Sequence, residues 1–419
     1  MFEAGETVSY GLCEAPYVIG GLIPDERKLV IYSPERLREE KGIEVKTQHV
    51  VENIFPTRHT IAVRNLSQRT VVEYEYDKLI LATGASSRKL NMAGEEARNV
   101  FHVRSREDTV NILKYIADES PKSAVVIGGG YIGMEMAEAL RTRGIDVTIL
   151  HRHRLPLGGL EEGTRERILE ELQNNGVRFV TNAVIEGMNL TQANTVKHVI
   201  TNRGTFEADM VILSIGISPN VELAKSAKIR LGVTGAIATD ERQQTNIEDI
   251  YAAGDCTEVK NIVTGKPMYI PLATLASRAG WVAGENAAGG RASLKGAIRA
   301  IAVKVFGLEI AQVGISSSEA KEAGFDVITE SITAPSKVGL MPGSQKIVIT
   351  LIVDSRSSRV VGANVFGGDG AVLRANTLGV AIQHKLTLDD IAQWDMIYSP
   401  PFAPLWDPIL IAANKARKR

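Results

Sequence analysis

Apolar residues near the middle of the chain come in unbroken runs. Ser123-Ala124-Val125-Val126-Ile127 is short and β-branched, the pattern of a strand buried on both faces of a parallel sheet. The stretch Gly128-Gly129-Gly130-Tyr131-Ile132-Gly133 follows, and Met134 to Leu140 then carries helical periodicity that ends near Gly144. A second run, Asp146-Val147-Thr148-Ile149-Leu150, completes a βαβ unit with G-x-G-x-x-G at its first turn. In that pattern Gly128 permits the tight turn, Gly130 lets the backbone approach a pyrophosphate, and Gly133 packs helix on strand. The helix start offers unpaired N–H groups to phosphates. The unit therefore predicts dinucleotide binding.

Two further runs end in glycine: Asp77 to Gly84, closing on Ala82-Thr83-Gly84, and Ile250 to Asp255, closing on Gly254-Asp255. From about residue 295 the texture changes to alternating strands, such as Lys346 to Val353, followed by helices over 370–385 and 388–392. That predicts a separate α+β domain. A length of 419 residues agrees with two or three domains.

Composition narrows the partners. Hydrophobic residues make up 44% and charged residues 23%, and the formal net charge is −1, which argues against nucleic acid. No apolar run reaches the roughly 18–20 residues of a membrane span, and the first residues are neither basic nor apolar. The basic end, Lys415 to Arg419, is expected to be a solvated helix end. No metal-ligating pattern is expected. Two cysteines far apart fit a reducing compartment, so a cytoplasmic location is expected.

Cys13 carries the candidate chemistry. Val18 stands five residues on, where a dithiol centre would need its second sulfur, so Cys13 must work alone, through a mixed disulfide, persulfide or sulfenic acid. The segment from Glu14 to Ile19 can open a helix with Pro16 in its first turn, and a helix start together with nearby positive charge would favour the thiolate. Glu14 works in the other direction. Cys256 is expected to be a packed residue. The strand ending at Leu150 leads into His151-Arg152-His153-Arg154, with no acid for a ribose 2′-hydroxyl and two arginines for a 2′-phosphate. NADPH is therefore the favoured nicotinamide.

Taken together, Ser9-Tyr10-x-x-Cys13-x-x-Pro16-Tyr17, the Ala82-Thr83-Gly84 strand, Thr245 to Asp255, Pro271-Leu272-Ala273-Thr274 and the stretch from Tyr398 to Pro408 resemble the single-cysteine pyridine nucleotide–disulfide oxidoreductases. This group includes coenzyme A-disulfide reductases, persulfide reductases and NADH oxidases. The resemblance implies an α/β chain with two Rossmann-like FAD/NAD(P)-binding domains and a C-terminal α+β dimerisation domain. The implied divisions are FAD-binding over 1–108 and 235–294, NAD(P)H-binding over 109–234, and dimerisation over 295–419.

The resemblance further implies FAD and NAD(P)H as cofactors, a homodimer, and a small thiol or disulfide substrate of coenzyme A type. It assigns Cys13, Glu135 and Tyr398 to catalysis, with Tyr398 reaching the flavin of the partner subunit. It assigns Ala82, Thr83, Gly84, Gly254, Asp255, Leu272, Ala273 and Thr274 to the flavin, and Tyr131 to gating the nicotinamide. Ser9 and Lys41 fall where coenzyme A is contacted in the family. A second active-site tyrosine of some coenzyme A-disulfide reductases is replaced around Leu340-Met341. Glu3 takes the place of the acid on the FAD ribose. The chain is therefore expected to open on the second strand of that unit, without the preceding strand, glycine loop and helix, roughly 25–30 residues. The competing readings are an NAD(P)H oxidase or peroxidase cycling Cys13 through a sulfenic acid, and a FAD-deficient, non-catalytic paralogue.

Overall fold

The computed structural model describes residues 1–419. Its centre is a parallel five-stranded sheet in the order Arg178–Val180, Asp146–Leu150, Ser123–Ile127, Met210–Leu213 and Val100–Phe101. The predicted βαβ unit lies inside it, with the glycine-loop helix over Tyr131–Thr142. Gly133, Met134, Met136, Ala137, Ala139 and Leu140 of that helix are buried, so a broad face is committed to the sheet. The edge strand Val100–Phe101 belongs to this sheet, although the sequence divisions leave it in the first segment.

Two stretches far apart in sequence build the first lobe. Leu79–Leu81 pairs in parallel with Ile250–Ala252, and their apolar residues share a core with Ile54, Ile61, Val63 and Cys256. The antiparallel sheet His49–Phe55, Thr60–Asn65, Thr70–Glu75 completes that core. At the start of the chain Phe2 bridges Lys46 in parallel, and Glu3 N–H donates to the Lys46 carbonyl at 2.9 Å.

The third lobe is an antiparallel five-stranded sheet in the order Ala300–Val305, Leu308–Gly314, Arg359–Gly367, Lys346–Asp354, Val327–Pro335. The helices Ala371–Gln383, Leu388–Ala392 and Pro408–Ala416 share its core. The basic end is an exposed helix end, as the sequence suggested, and it also carries ion pairs. Lys415 and Arg419 reach the two carboxylate oxygens of Glu330 at 2.7 and 2.6 Å, and Arg417 pairs with Asp389 at 2.6 Å. Glu330 is only 2% exposed, and a buried carboxylate needs such cations in place of water.

One apolar core crosses all three lobes. It joins Ala15 and Ile19 of the cysteine segment, Ala124 and Val126 of the central sheet, and Val303 and Ile310 of the third lobe.

Candidate active site

Cys13 is exposed and immediately precedes a short helix, Ala15–Ile19, with Glu14 at its N-cap and Pro16 in its first turn. Ala15, Val18 and Ile19 are buried, and Arg143 Nε donates to the Ile19 carbonyl at 2.7 Å, so the helix is docked on the nucleotide-binding lobe. Ahead of the cysteine, Ser9–Tyr10 pairs with Val30–Tyr32, and Gly11 N–H donates to the Leu29 carbonyl at 2.8 Å. The thiol is thus held from both sides in sequence. Its pKa moves up, against the expectation from the helix start. Burial is the largest cause, followed by Glu14, Glu135 and Asp255, with Arg104 pulling the other way. A five-residue helix offers few aligned peptide dipoles, so one guanidinium and a weak helix field lose to desolvation and three acids.

The segments expected to hold the flavin converge. Gly254 adopts φ +85°, and a Cβ there would meet the Ala276 Cβ at 3.6 Å, which places this turn against the first turn of the helix Ala273–Ala287. Leu272 caps that helix without a side-chain hydrogen bond, leaving the N–H groups of Ala273 and Thr274 open. Asp255 accepts from Arg104 Nη2 at 2.8 Å, and Arg104 Nε donates to the Ala85 carbonyl at 2.9 Å. Arg106 Nε, at the start of the helix Arg106–Glu119, is buried with no partner, a donor left over for an anionic group. Thr83 and Gly84 are stitched to Asn220, which exchanges three hydrogen bonds of 2.6–2.9 Å with them. Glu3 accepts from Gly5 N–H at 2.7 Å. Apart from Glu3, which is read as the ribose acid, these residues fit the ring and ribityl end of FAD.

The glycine loop separates its three roles by geometry. Gly128 has φ +114°, and a Cβ there would stand 2.3 Å from the Ser214 carbonyl oxygen. A Cβ on Gly133 would stand 2.1 Å from the Gly128 carbonyl oxygen, whereas one on Gly130 would meet nothing within 4 Å. The loop is closed on its inner side and open at Gly130, with an uncapped helix start beside it, which fits a dinucleotide pyrophosphate. Two supports of this loop carry no sequence signature of their own. Ser214 Oγ donates to the Gly128 carbonyl at 2.9 Å, and His151 Nδ1 accepts from Gly129 N–H at 3.0 Å. Burial and the neighbouring His153 push the His151 pKa down to about 4, so the ring is neutral and can accept. Tyr131, at the first position of the helix, is pushed up to about 12 by burial.

Arg152 and Arg154 are not equivalent. Arg154 is paired with Glu162 and, at 3.5 Å, with Glu166. Arg152 has no carboxylate partner and donates to His153 Nε2 at 3.1 Å.

Glu135 lines a cavity of about 250 Å³ with Pro16 and Tyr17 of the cysteine helix and Glu138. Burial, then Glu138, raises its pKa from 4.5 to about 7. The unfolded chain ionises this carboxyl first, so folding stability present below about pH 4.5 is lost as the pH climbs towards 7. Glu135→Gln is expected to raise Tm above pH 7 and to leave it unchanged near pH 4. Equal shifts at both pH values in thermal melts would contradict this assignment.

Three further assigned residues belong to neither the flavin-side turns nor the glycine loop. Ser9 sits in its strand pair, and Lys41 is exposed at the end of the helix Pro34–Lys41, closed by Gly42 at φ +67°. Tyr398 is 48% exposed in the loop before the last helix. Cys256 is fully buried and donates to the Ala253 carbonyl at 3.3 Å, a packing role.

No helix is long and apolar enough to cross a membrane. Residues 1–280 match the pyridine nucleotide-disulphide oxidoreductase family, and residues 301–408 match its dimerisation domain. The NAD(P)H sulfur oxidoreductase (CoA-dependent) of Pyrococcus furiosus is 36% identical over 99% of this chain and 92% of its own length. The coenzyme A disulfide reductase of Staphylococcus epidermidis is 30% identical over 100% of this chain and 93% of its own length. Among solved structures, reduced Bacillus anthracis CoADR-RHD superposes with a TM-score of 0.96 at 32% identity, covering 100% of this chain and 75% of that one. An NAD-dependent persulfide reductase from A. fulgidus gives 0.95 at 36%, with 100% and 77% covered. With two thirds of its length in the first match and its last lobe in the second, the chain belongs to the pyridine nucleotide-disulphide oxidoreductase family, which works with FAD and NAD(P)H.

Proposed function

We propose that this protein reduces a disulfide or persulfide of coenzyme A type at Cys13, with electrons from NAD(P)H. The observation that carries the reading is the convergence on one thiol. Cys13 is exposed, and it feels Glu135 from the glycine-loop helix together with Asp255 of the flavin-side turn and Arg104, which is bonded to Asp255. An accessible thiol beside the flavin-side turn can exchange with a substrate disulfide and be reduced from that side. Bound FAD would supply the ring that accepts hydride from the nicotinamide.

The residues do the rest. The Cys13 thiolate attacks one sulfur of the substrate disulfide, forms a mixed disulfide and releases one thiolate. Two electrons from NAD(P)H then cleave that bond and release the second. Overall, NAD(P)H, one proton and one disulfide give NAD(P)⁺ and two thiols. Arg104 is the one cation that favours the thiolate, and Asp255 holds it at 2.8 Å. Ser9 and Lys41 would contact the coenzyme A portion, and Lys41 is suited to a phosphate as a point charge. Tyr398 would act across a homodimer.

For the nicotinamide, Arg152 is free to meet a 2′-phosphate and Arg154 is already neutralised. Arg152→Gln is expected to raise KM for NADPH roughly tenfold or more, the worth of one charge-assisted hydrogen bond. KM for NADH should stay within about twofold, and Arg154→Gln should do less to either. Equal losses for the two nucleotides would refute NADPH preference.

The reading is tested by anaerobic NADPH turnover with coenzyme A disulfide, polysulfide, peroxide and oxygen offered in turn. Turnover on the two sulfur substrates is expected to exceed that on the oxygen species. The reverse order would make the protein an oxidase or peroxidase.

A further inference from the structure

The loop that carries Tyr398 and the loop between Val327–Pro335 and Lys346–Asp354 present an apolar apron to solvent. Leu340 is 95% exposed, Ile397 85%, Phe402 75% and Leu405 70%. Residues this exposed cannot fix the shape of their own loops by packing within the protomer. What does fix it lies underneath. Arg374, 9% exposed on the helix Ala371–Gln383, donates from Nε to Asp407 Oδ2 at 3.0 Å. It also donates from Nη2 to the Ser336 carbonyl at 2.9 Å and from Nη1 to the Gly370 carbonyl at 3.2 Å. Asp407, 4% exposed, uses its other oxygen to cap the last helix through Ile409 N–H at 2.9 Å. The two loops also meet directly, with Val338 N–H donating to the Pro400 carbonyl at 3.3 Å.

One planar guanidinium therefore ties three separate segments at fixed angles. An apolar contact is non-directional and could not do this. Replacing a buried ion pair with apolar residues of similar volume is often neutral for stability, so stability alone gives weak reason to place one here. We propose that Arg374 and Asp407 are positioning residues, which set the register of both partner-facing loops and so deliver Tyr398 to the site of the neighbouring subunit. This rests on the reading of Tyr398 given above.

The test compares Arg374→Met/Asp407→Leu, Arg374→Lys and Tyr398→Phe as FAD-loaded proteins. Each also carries Trp281→Phe, so that Trp406, 59% exposed, dominates the accessible emission. The double variant is expected to keep its Tm, to raise the dimer dissociation constant at least tenfold, and to change acrylamide quenching of Trp406. At concentrations where it is dimeric, kcat for the disulfide should fall about tenfold while KM for NAD(P)H stays within twofold. Arg374→Lys, which can meet Asp407 but not all three acceptors, should recover part of kcat. A double variant with unchanged quenching, dimer constant and kcat would overturn the proposal. So would one that loses only Tm. If Tyr398→Phe leaves kcat unchanged, the reading of Tyr398 fails, and the positioning role is then judged on quenching and the dimer constant alone.

Discussion

Cys13→Ser is expected to lower disulfide or persulfide turnover by on the order of 10³-fold or more, as when a nucleophile is removed from a site that works as a unit. The substitution leaves in place the packing of Ala15, Val18 and Ile19 and the bond from Arg143 to Ile19, so Tm should hardly move. Thiol titration supplies a control that does not depend on turnover. The native chain should show one reactive thiol and the unfolded chain two, because Cys256 is fully buried. The variant should show none when native. Since burial and three acids hold the Cys13 pKa up, alkylation of the native protein should keep accelerating beyond the pH at which a free cysteine levels off. An early plateau would contradict the electrostatic description. Unchanged turnover in Cys13→Ser would remove the proposed mechanism altogether.

Gly133→Ala is the second large effect. The new methyl would lie 2.1 Å from the Gly128 carbonyl oxygen and 2.9 Å from Ser214 Oγ. Ser214 can rotate, but a carbonyl in the tight turn of the same loop cannot withdraw without moving the turn. The cost is expected at the upper end for overpacking, about 3 kcal/mol, with nicotinamide affinity lost along with it. Gly130→Ala serves as the comparison. A Cβ there meets nothing within 4 Å, so the protein should keep its stability and lose affinity for the dinucleotide, whose backbone approach it obstructs. Melting curves and nucleotide titrations separate the two outcomes. A Gly133→Ala protein as stable as the parent would show that the loop is not closed in this way.

The contrast between these glycines also shows what could be read from the sequence. The strand runs Ser123–Ile127 and Asp146–Leu150 have the predicted bounds, because a doubly buried parallel strand leaves a continuous apolar signature. The demand on Gly133 comes from the Gly128 carbonyl five residues away and is legible in the G-x-G-x-x-G spacing, whereas that on Gly128 comes from Ser214, 86 positions on. Arg104, Asn220, Ser214 and His151 escaped that reading. Arg104 meets Asp255 across 151 positions and Asn220 meets Thr83 across 137, and neither carries a local pattern. The direction of the Cys13 pKa is half legible, through Glu14, and the rest is not, for a related reason. The helix start is visible in the sequence, but the approach of Glu135 and Asp255 depends on how the lobes close. The ion pairs of the exposed basic end carry no local signature, because their partner, Glu330, belongs to a strand more than 80 residues earlier.

The pairing of Leu79–Leu81 with Ile250–Ala252 has a consequence for how the chain is made. The sheet of the central lobe lies between those two strands in sequence, over residues 100–213. During synthesis that lobe can collapse on itself while the first lobe still waits for half of its parallel pair. The flavin-side turn at Gly254-Asp255 and the cysteine near the start of the chain therefore come together only after the central lobe has been made. Capacity to bind nicotinamide should precede capacity to reduce sulfur on the ribosome.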